Sequence, residues 1–166
     1  NANAQDDAGN ILINQIDSST QYYKASLEYE TAEDNLVENG GFATDSDWNK
    51  LNGSTISGGV GNVIANGDLG STGGNWSLNQ DVGMILGSTY KISFSARQTG
   101  GTGNFQVAQA YQKGVDQTIT SVFVNYSFNI TALSYGVNTG IISIGGLTVG
   151  DTFEVDNVSV QKNPAT

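Results

Sequence analysis

The stretch Leu86-Gly-Ser-Thr-Tyr-Lys-Ile-Ser-Phe-Ser-Ala-Arg97 decides the architecture. Tyr90, Ile92, Phe94 and Ala96 fall on one side of an extended chain, and Lys91, Ser93, Ser95 and Arg97 fall on the other. Strict alternation of this kind marks a strand with one face in a core and one in water. The pattern recurs downstream. Val122, Val124, Tyr126, Phe128 and Ile130 form a long apolar face opposite Asn125, Ser127 and Asn129. Ile142 and Ile144 have the same parity, and Phe153 and Val155 open a last strand. Glycine clusters at 58–61, 100–103 and 145–146 separate the runs. Strands at that spacing, with no strong amphipathic helix between them, predict an all-β fold, an antiparallel sandwich.

The last strand carries an irregularity. Phe153 and Val155 are odd-numbered, whereas Val158 and Val160 are even-numbered. A period-two pattern cannot change parity without an extra residue, so a β-bulge or kink is expected at Asp156-Asn157.

Composition narrows the chemistry. The chain of 166 residues has 22 glycines, a single proline (Pro164) and only 13% charged residues, the profile of a turn-rich all-β protein. Its 37% hydrophobic content is enough for a core. There is no His and no Cys, which removes most proton-shuttle, nucleophile and transition-metal arrangements. The net charge of −10 repels phosphate backbones and anionic bilayers, so nucleic acid is not an expected partner. No apolar run approaches the length of a membrane span, so membrane insertion is not expected either. No two acidic residues join in a recognisable hydrolytic signature, and an enzyme is not expected.

Residues 1–34 read as a separate extension. Asn10–Ile16 is a short apolar run and Asp17-Ser-Ser-Thr20 is a turn cluster. Beyond it Tyr23, Ala25, Leu27, Tyr29 and Thr31 alternate with Lys24, Ser26, Glu28 and Glu30. The pattern favours a β-hairpin; a helix from Ser18 or Ser19 is the rival, since Tyr23 and Leu27 also lie four apart. An apolar face there needs burial, either on its own sandwich or by adding strands to a neighbouring subunit as an assembly arm.

Three further segments join Leu86–Arg97 in a family likeness. They are Asn35-Leu-Val-Glu-Asn-Gly-Gly-Phe42 followed by Asp47-Trp48, then Trp76-Ser-Leu-Asn-Gln80, and Phe153-Glu-Val-Asp-Asn-Val-Ser-Val160. Together they resemble the carbohydrate-binding modules of the family 4, 9 and 22 type, a galactose-binding-like jelly roll also found in phage tail and virion-surface proteins. The resemblance runs from Asn35 to Gln161. It implies an antiparallel jelly-roll β-sandwich over 35–162, with the N-terminal β-hairpin extension before it and a tail at 163–166.

Such modules bind glycans across a sheet face, with aromatic rings on sugar faces and polar side chains on hydroxyls. At matching positions stand Trp76, Gln109, Tyr111 and Gln112, with Arg97 ending the strand expected beside them. Trp76 shares parity with Leu78 and Val82, which makes it equally a core or rim residue. Tyr111 shares parity with Phe105 and Val107, and Gln109 on that same face suggests a wet groove. Arg97 also reads as an ordinary solvated charge, and Trp48 as a plug at one end of the core. The resemblance further implies a structural calcium between the first and last strands, held by Asp156 with Glu38 and the Gly40 carbonyl. Against it, Ala43-Thr44 stands where the family has an acidic residue after the Phe; the other reading has Asp156 bonding to backbone amides at the bulge. Five Asn-X-Ser/Thr triplets, at Asn52, Asn75, Asn125, Asn129 and Asn157, are no more than such a composition produces by chance.

The expected function is therefore glycan binding by a non-catalytic module that is extracellular or on a virion surface. The partner would be a polysaccharide or cell-surface glycan. The alternative is a structural virion subunit, a capsid decoration, head-fibre or tail-fibre protein. It would assemble through residues 1–34 as a homo-oligomer or with another virion protein.

Overall fold

A computed structural model describes residues 34–70, 75–110 and 112–163, with backbone only for 112–115. The chain divides into two units, Asn1–Glu33 and Asp34–Thr166. The hairpin or assembly arm expected within residues 1–34 and the tail from 164 onward lie outside the described residues, and so does Tyr111.

The second unit is all-β. Its strands are β1 (Asn49–Lys50), β2 (Thr55–Ser57), β3 (Val60–Ile64), β4 (Leu78–Asp81), β5 (Thr89–Gly100), β6 (Asn104–Gln109), β7 (Gln112–Thr118), β8 (Val124–Thr131), β9 (Ile141–Gly146) and β10 (Thr152–Lys162). They form two five-stranded sheets, in the orders β1-β4-β9-β6-β7 and β2-β3-β10-β5-β8. Every pairing is antiparallel. This is an antiparallel jelly-roll β-sandwich.

The alternation in β5 does what its spacing demands: Tyr90, Ile92, Phe94 and Ala96 are all buried between the sheets. Phe94 of the second sheet meets Phe105 of the first at a ring separation of 5.3 Å, and Phe105 meets Phe153 at 5.3 Å edge-on. Full burial of each such side chain contributes about 1.5–3 kcal/mol. Trp48 plugs one end of the core, 5.3 Å from the Phe42 ring, and its indole N–H donates to the Asn39 carbonyl at 3.3 Å.

The apolar face expected over Val122–Ile130 is only partly a core face. Ile130 is buried, Tyr126 and Phe128 are half-buried, and Val124 and Val122 are 40% and 63% exposed. Strand β8 is an edge strand, so the opposite sheet covers one end of it and leaves the other open.

The irregularity in β10 is a bulge. Its pairing with β5 shifts register between Asp156 and Ser159, and Asn157 takes a left-handed φ of 52°. The extra residue turns Val158 and Val160 back into the core beside Phe153 and Val155. At the same point the other edge of β10 changes neighbour. Thr152–Val155 pair with β3, whereas Val158 and Val160 bond to residues 35–40. The Leu36 N–H donates to the Val160 carbonyl at 2.9 Å, and the Val158 N–H donates to the Gly40 carbonyl at 2.9 Å. The Asn35 side chain completes the junction, its Oδ1 accepting from Val160 N–H at 2.9 Å and from Val37 N–H at 3.1 Å. Opposite, the Gln80 amide takes the Glu38 N–H at 2.9 Å and donates to the Glu38 and Asp47 carbonyls at 2.9 and 3.0 Å.

This contact has no room for a side chain. A Cβ at Gly40 would stand 2.1 Å from the Val158 carbonyl oxygen, whereas one at Gly41 would meet nothing within 4 Å. Gly40→Ala should therefore lower the unfolding free energy in a urea titration by about 1–3 kcal/mol, the usual cost of overpacking. Gly41→Ala should change it by no more than about 0.5 kcal/mol; equal effects at the two positions would remove the close approach from the argument.

Candidate functional site

Register decides what the outer face of the first sheet presents. Asn49 lies opposite Asn79, Asn79 opposite Ser143, and Ser143 opposite Ala108, giving one row across four strands. The next row toward one end holds Gly145 and Gln106. It is roofed by the loop after β3. Leu69 lies over Gly145, and Gln106 is buried beneath the loop. Its Oε1 accepts from Leu69 N–H at 2.9 Å, and its Nε2 donates to Asp68 at 3.2 Å and Asp116 at 2.7 Å. Toward the other end, a single 3-10 turn over Gly136–Asn138 stands above Ile141 and Ala110. Between roof and turn lies a groove of about 70 Å³ lined by Trp76, Asn79, Ala110, Asn138, Ile141 and Ser143.

Two groups in its lining have unspent hydrogen-bonding capacity. Asn79 is 7% exposed; its Oδ1 accepts from Asn49 Nδ2 at 2.8 Å, but its own Nδ2 meets no protein acceptor among the described residues. Ser143 is 3% exposed, and its hydroxyl has no protein partner among them. A buried polar group without a partner costs about 1–3 kcal/mol, which a ligand hydroxyl in the groove would offset. Beside them Trp76 is half-buried. Its parity with Leu78 does not bury it, because β4 begins only at Leu78 and Ser77 is tied separately, donating from N–H to Ile144 O at 2.9 Å and from Oγ to Ile64 O at 2.6 Å.

The other residues selected from sequence are distributed differently. Gln109 is not a groove residue: it is fully buried and faces inward with Phe105 and Val107. Its Nε2 donates to the carbonyls of Leu133 and Thr139 at 2.9 and 2.6 Å, and its Oε1 accepts from Leu133 N–H at 2.9 Å. A glutamine on an apolar face here means a loop clamp, not water. The clamped loop is the one that presents Asn138, so Gln109 acts as a positioning residue. Arg97 is not beside β6 and β7 but in the second sheet, between β10 and β8. It is bound to Glu154 at 2.8 Å through Nε and 2.7 Å through a terminal nitrogen, and lies 4.9 Å from the centre of the Phe123 ring. Gln112 pairs with Gln109 at the β6–β7 turn; its side chain lies outside the described set, as does Tyr111. Of the named ligand residues whose side chains are described, Trp76 lines the groove, and Gln109 and Arg97 do not. Sequence reasoning does not select Asn79, Asn138 or Ser143; Ser143, polar and at outward parity between Ile142 and Ile144, carries a local signal, whereas Asn138 stands in a turn and carries none.

The residues implied for calcium each accept hydrogen bonds within the protein. Both carboxylate oxygens of Asp156 accept from Asn157, at 2.7 Å from N–H and 3.0 Å from Nδ2. The Gly40 carbonyl is taken by Val158 N–H, and the Glu38 carbonyl by Gln80. Calcium requires six to eight oxygens, and no group of three or more acidic side chains gathers among the described residues.

Neither a family model nor a curated protein sequence matches the chain. Solved structures do. The CBM22-1 xylan-binding domain of Xyn10C from Paenibacillus barcinonensis superposes with a TM-score of 0.55 at 12% identity, over 82% of this chain and 99% of that one. A CBM4 structure gives 0.48 at 20% identity, over 76% and 99%. The tripod from the baseplate of bacteriophage Tuc2009 gives 0.47 at 14% identity, over 81% and 57%. At these identities the likeness is one of fold: the domain has the jelly roll of the CBM22-type module.

Gln109→Leu strands the loop groups it held and should cost about 1–3 kcal/mol in urea unfolding; a change below about 0.5 kcal/mol would mean the clamp is not needed. A melting curve with and without a chelator tests the calcium that the resemblance implies: a ligand bound only by the native state must raise the midpoint, so an unchanged midpoint would remove it.

Proposed function

We propose that this domain is a non-catalytic carbohydrate-binding module that holds a neutral polysaccharide chain in the Trp76 groove, outside the cell or on a virion surface. The observation that carries the reading is the pair of buried, unspent polar groups, Asn79 Nδ2 and Ser143 Oγ, set beside an indole. A sugar ring supplies what each lacks. Its hydroxyls pair with the amide and the serine, and its C–H face covers the indole. Among the described residues the six that line the groove are uncharged, which suits a neutral ligand. The fold shared with a xylan-binding domain supports the ligand class. Among the described residues no helix is long and apolar enough to cross a membrane. A structural virion role through residues 1–34 draws on none of the described residues.

A glycan array tests the proposal directly. The full chain should bind at least one neutral glycan, and Trp76→Ala or Asn79→Leu should weaken that binding by about tenfold or more, as expected for loss of a stacking or paired buried contact. Silence of the wild-type chain on every glycan would sink the reading.

A further inference from the structure

A second depression lies on the opposite side of the molecule, on the outer face of the second sheet. Cross-strand register places Ser159 opposite Ser93 and Ser93 opposite Ser127, a row of serines across β10, β5 and β8. The row on one side is longer-limbed: Gln161, Lys91 and Asn129. On the other side stands Asn125, with Asn157 pushed out by the bulge. Short side chains between longer ones leave a trough of about 420 Å³. With strands about 4.8 Å apart it spans roughly 10 Å from β10 to β8.

The short polar groups of this face are open to water or to a ligand. The hydroxyls of Ser93, Ser127 and Ser159 make no hydrogen bond to protein among the described residues, and that of Ser95, only 7% exposed beside them, makes none either. Phe94 and Tyr126 border the trough, but they belong to the core-facing parity, their rings stacked on each other at 5.4 Å.

The geometry points to a second saccharide site: the serine trough takes an uncharged, hydroxyl-rich chain laid across the strands and held by hydrogen bonds without an aromatic platform. Serine hydroxyls both donate and accept, the Asn125 and Asn157 amides do the same, and the Lys91 ammonium donates to sugar oxygens. An acidic chain is disfavoured by the Asp156 carboxylate on the same face and by the net charge of −10. Two sites on opposite sheets would let one domain bridge two polysaccharide chains, raising avidity without any further contact. The inference shares its ligand class with the Trp76 reading but not its residues.

Affinity electrophoresis of the full chain through gels containing soluble xylan, β-glucan, galactomannan or pullulan separates the two. The comparison uses Trp76→Ala, the pair Ser93→Val and Ser127→Val, and all three together. Valine suits exposed strand positions, and a melt within a few degrees of wild type confirms folding. Trp76→Ala should remain retarded in at least one gel. Adding the two valines should weaken that retardation about tenfold or more, the loss expected for two or more hydrogen bonds. If Trp76→Ala is retarded in none of the gels, or the valines leave its retardation unchanged, the trough is only a solvated face. Retardation of wild type lost with Trp76 alone would leave the groove standing and remove the trough. Retardation lost with the valines alone would do the reverse.

Discussion

Strand β10 is paired with β5 along most of its length, but on its other edge it changes partner halfway, from β3 to the segment 35–40. The bulge at Asp156–Ser159 adds a residue where the exchange occurs, and Phe153, Val155, Val158 and Val160 are buried on both sides of it. The segment that arrives is irregular, so its polar backbone cannot be satisfied by a ladder alone. The carboxamides of Asn35 and Gln80 supply the missing bonds. Closure of the sandwich at this junction is thus made by amides and a glycine.

The same economy shapes the groove. One end of the first sheet's outer face is covered by a loop held down through Gln106, and the other is bounded by a turn held through Gln109. Both glutamines are buried side chains acting on backbone, one on each face of β6. Between them lies a short stretch of small residues, Ala110 and Ser143, lining the groove with Trp76. The site is therefore a gap between two loop anchors, and its width depends on residues that a ligand would never touch.

Much of the fold could be read in advance because its signals are local. The parity of Tyr90 to Ala96 predicts β5 by itself, and the change of parity at Asp156-Asn157 predicts the bulge. The misreadings share one cause: they needed to know which elements become neighbours. Val122–Ile130 looks like a core face throughout because alternation does not say that β8 is an edge. Arg97 reads from sequence as a neighbour of β6 because the chain runs directly from one to the other, yet the chain crosses between sheets at 101–103. Gln109 on an apolar face is compatible with water or with a clamp, and only the distant loop at 133–139 decides. Asn79 and Ser143 read as ordinary outward-facing residues, and nothing in the sequence shows that they are buried without a full set of partners.

The junction of residues 35–40 with β10 also sets an order of events. The Asn35 side chain bonds to Val160 across 125 residues of sequence. Contacts that distant close late, because the loop-closure entropy must be met before they contribute. As the chain leaves the ribosome, β3 and β5 must wait for the strand that lies between them. Until β10 inserts, both expose unpaired edges to one another and to other nascent chains. The last of the described strands in sequence order thus takes the central place in its sheet.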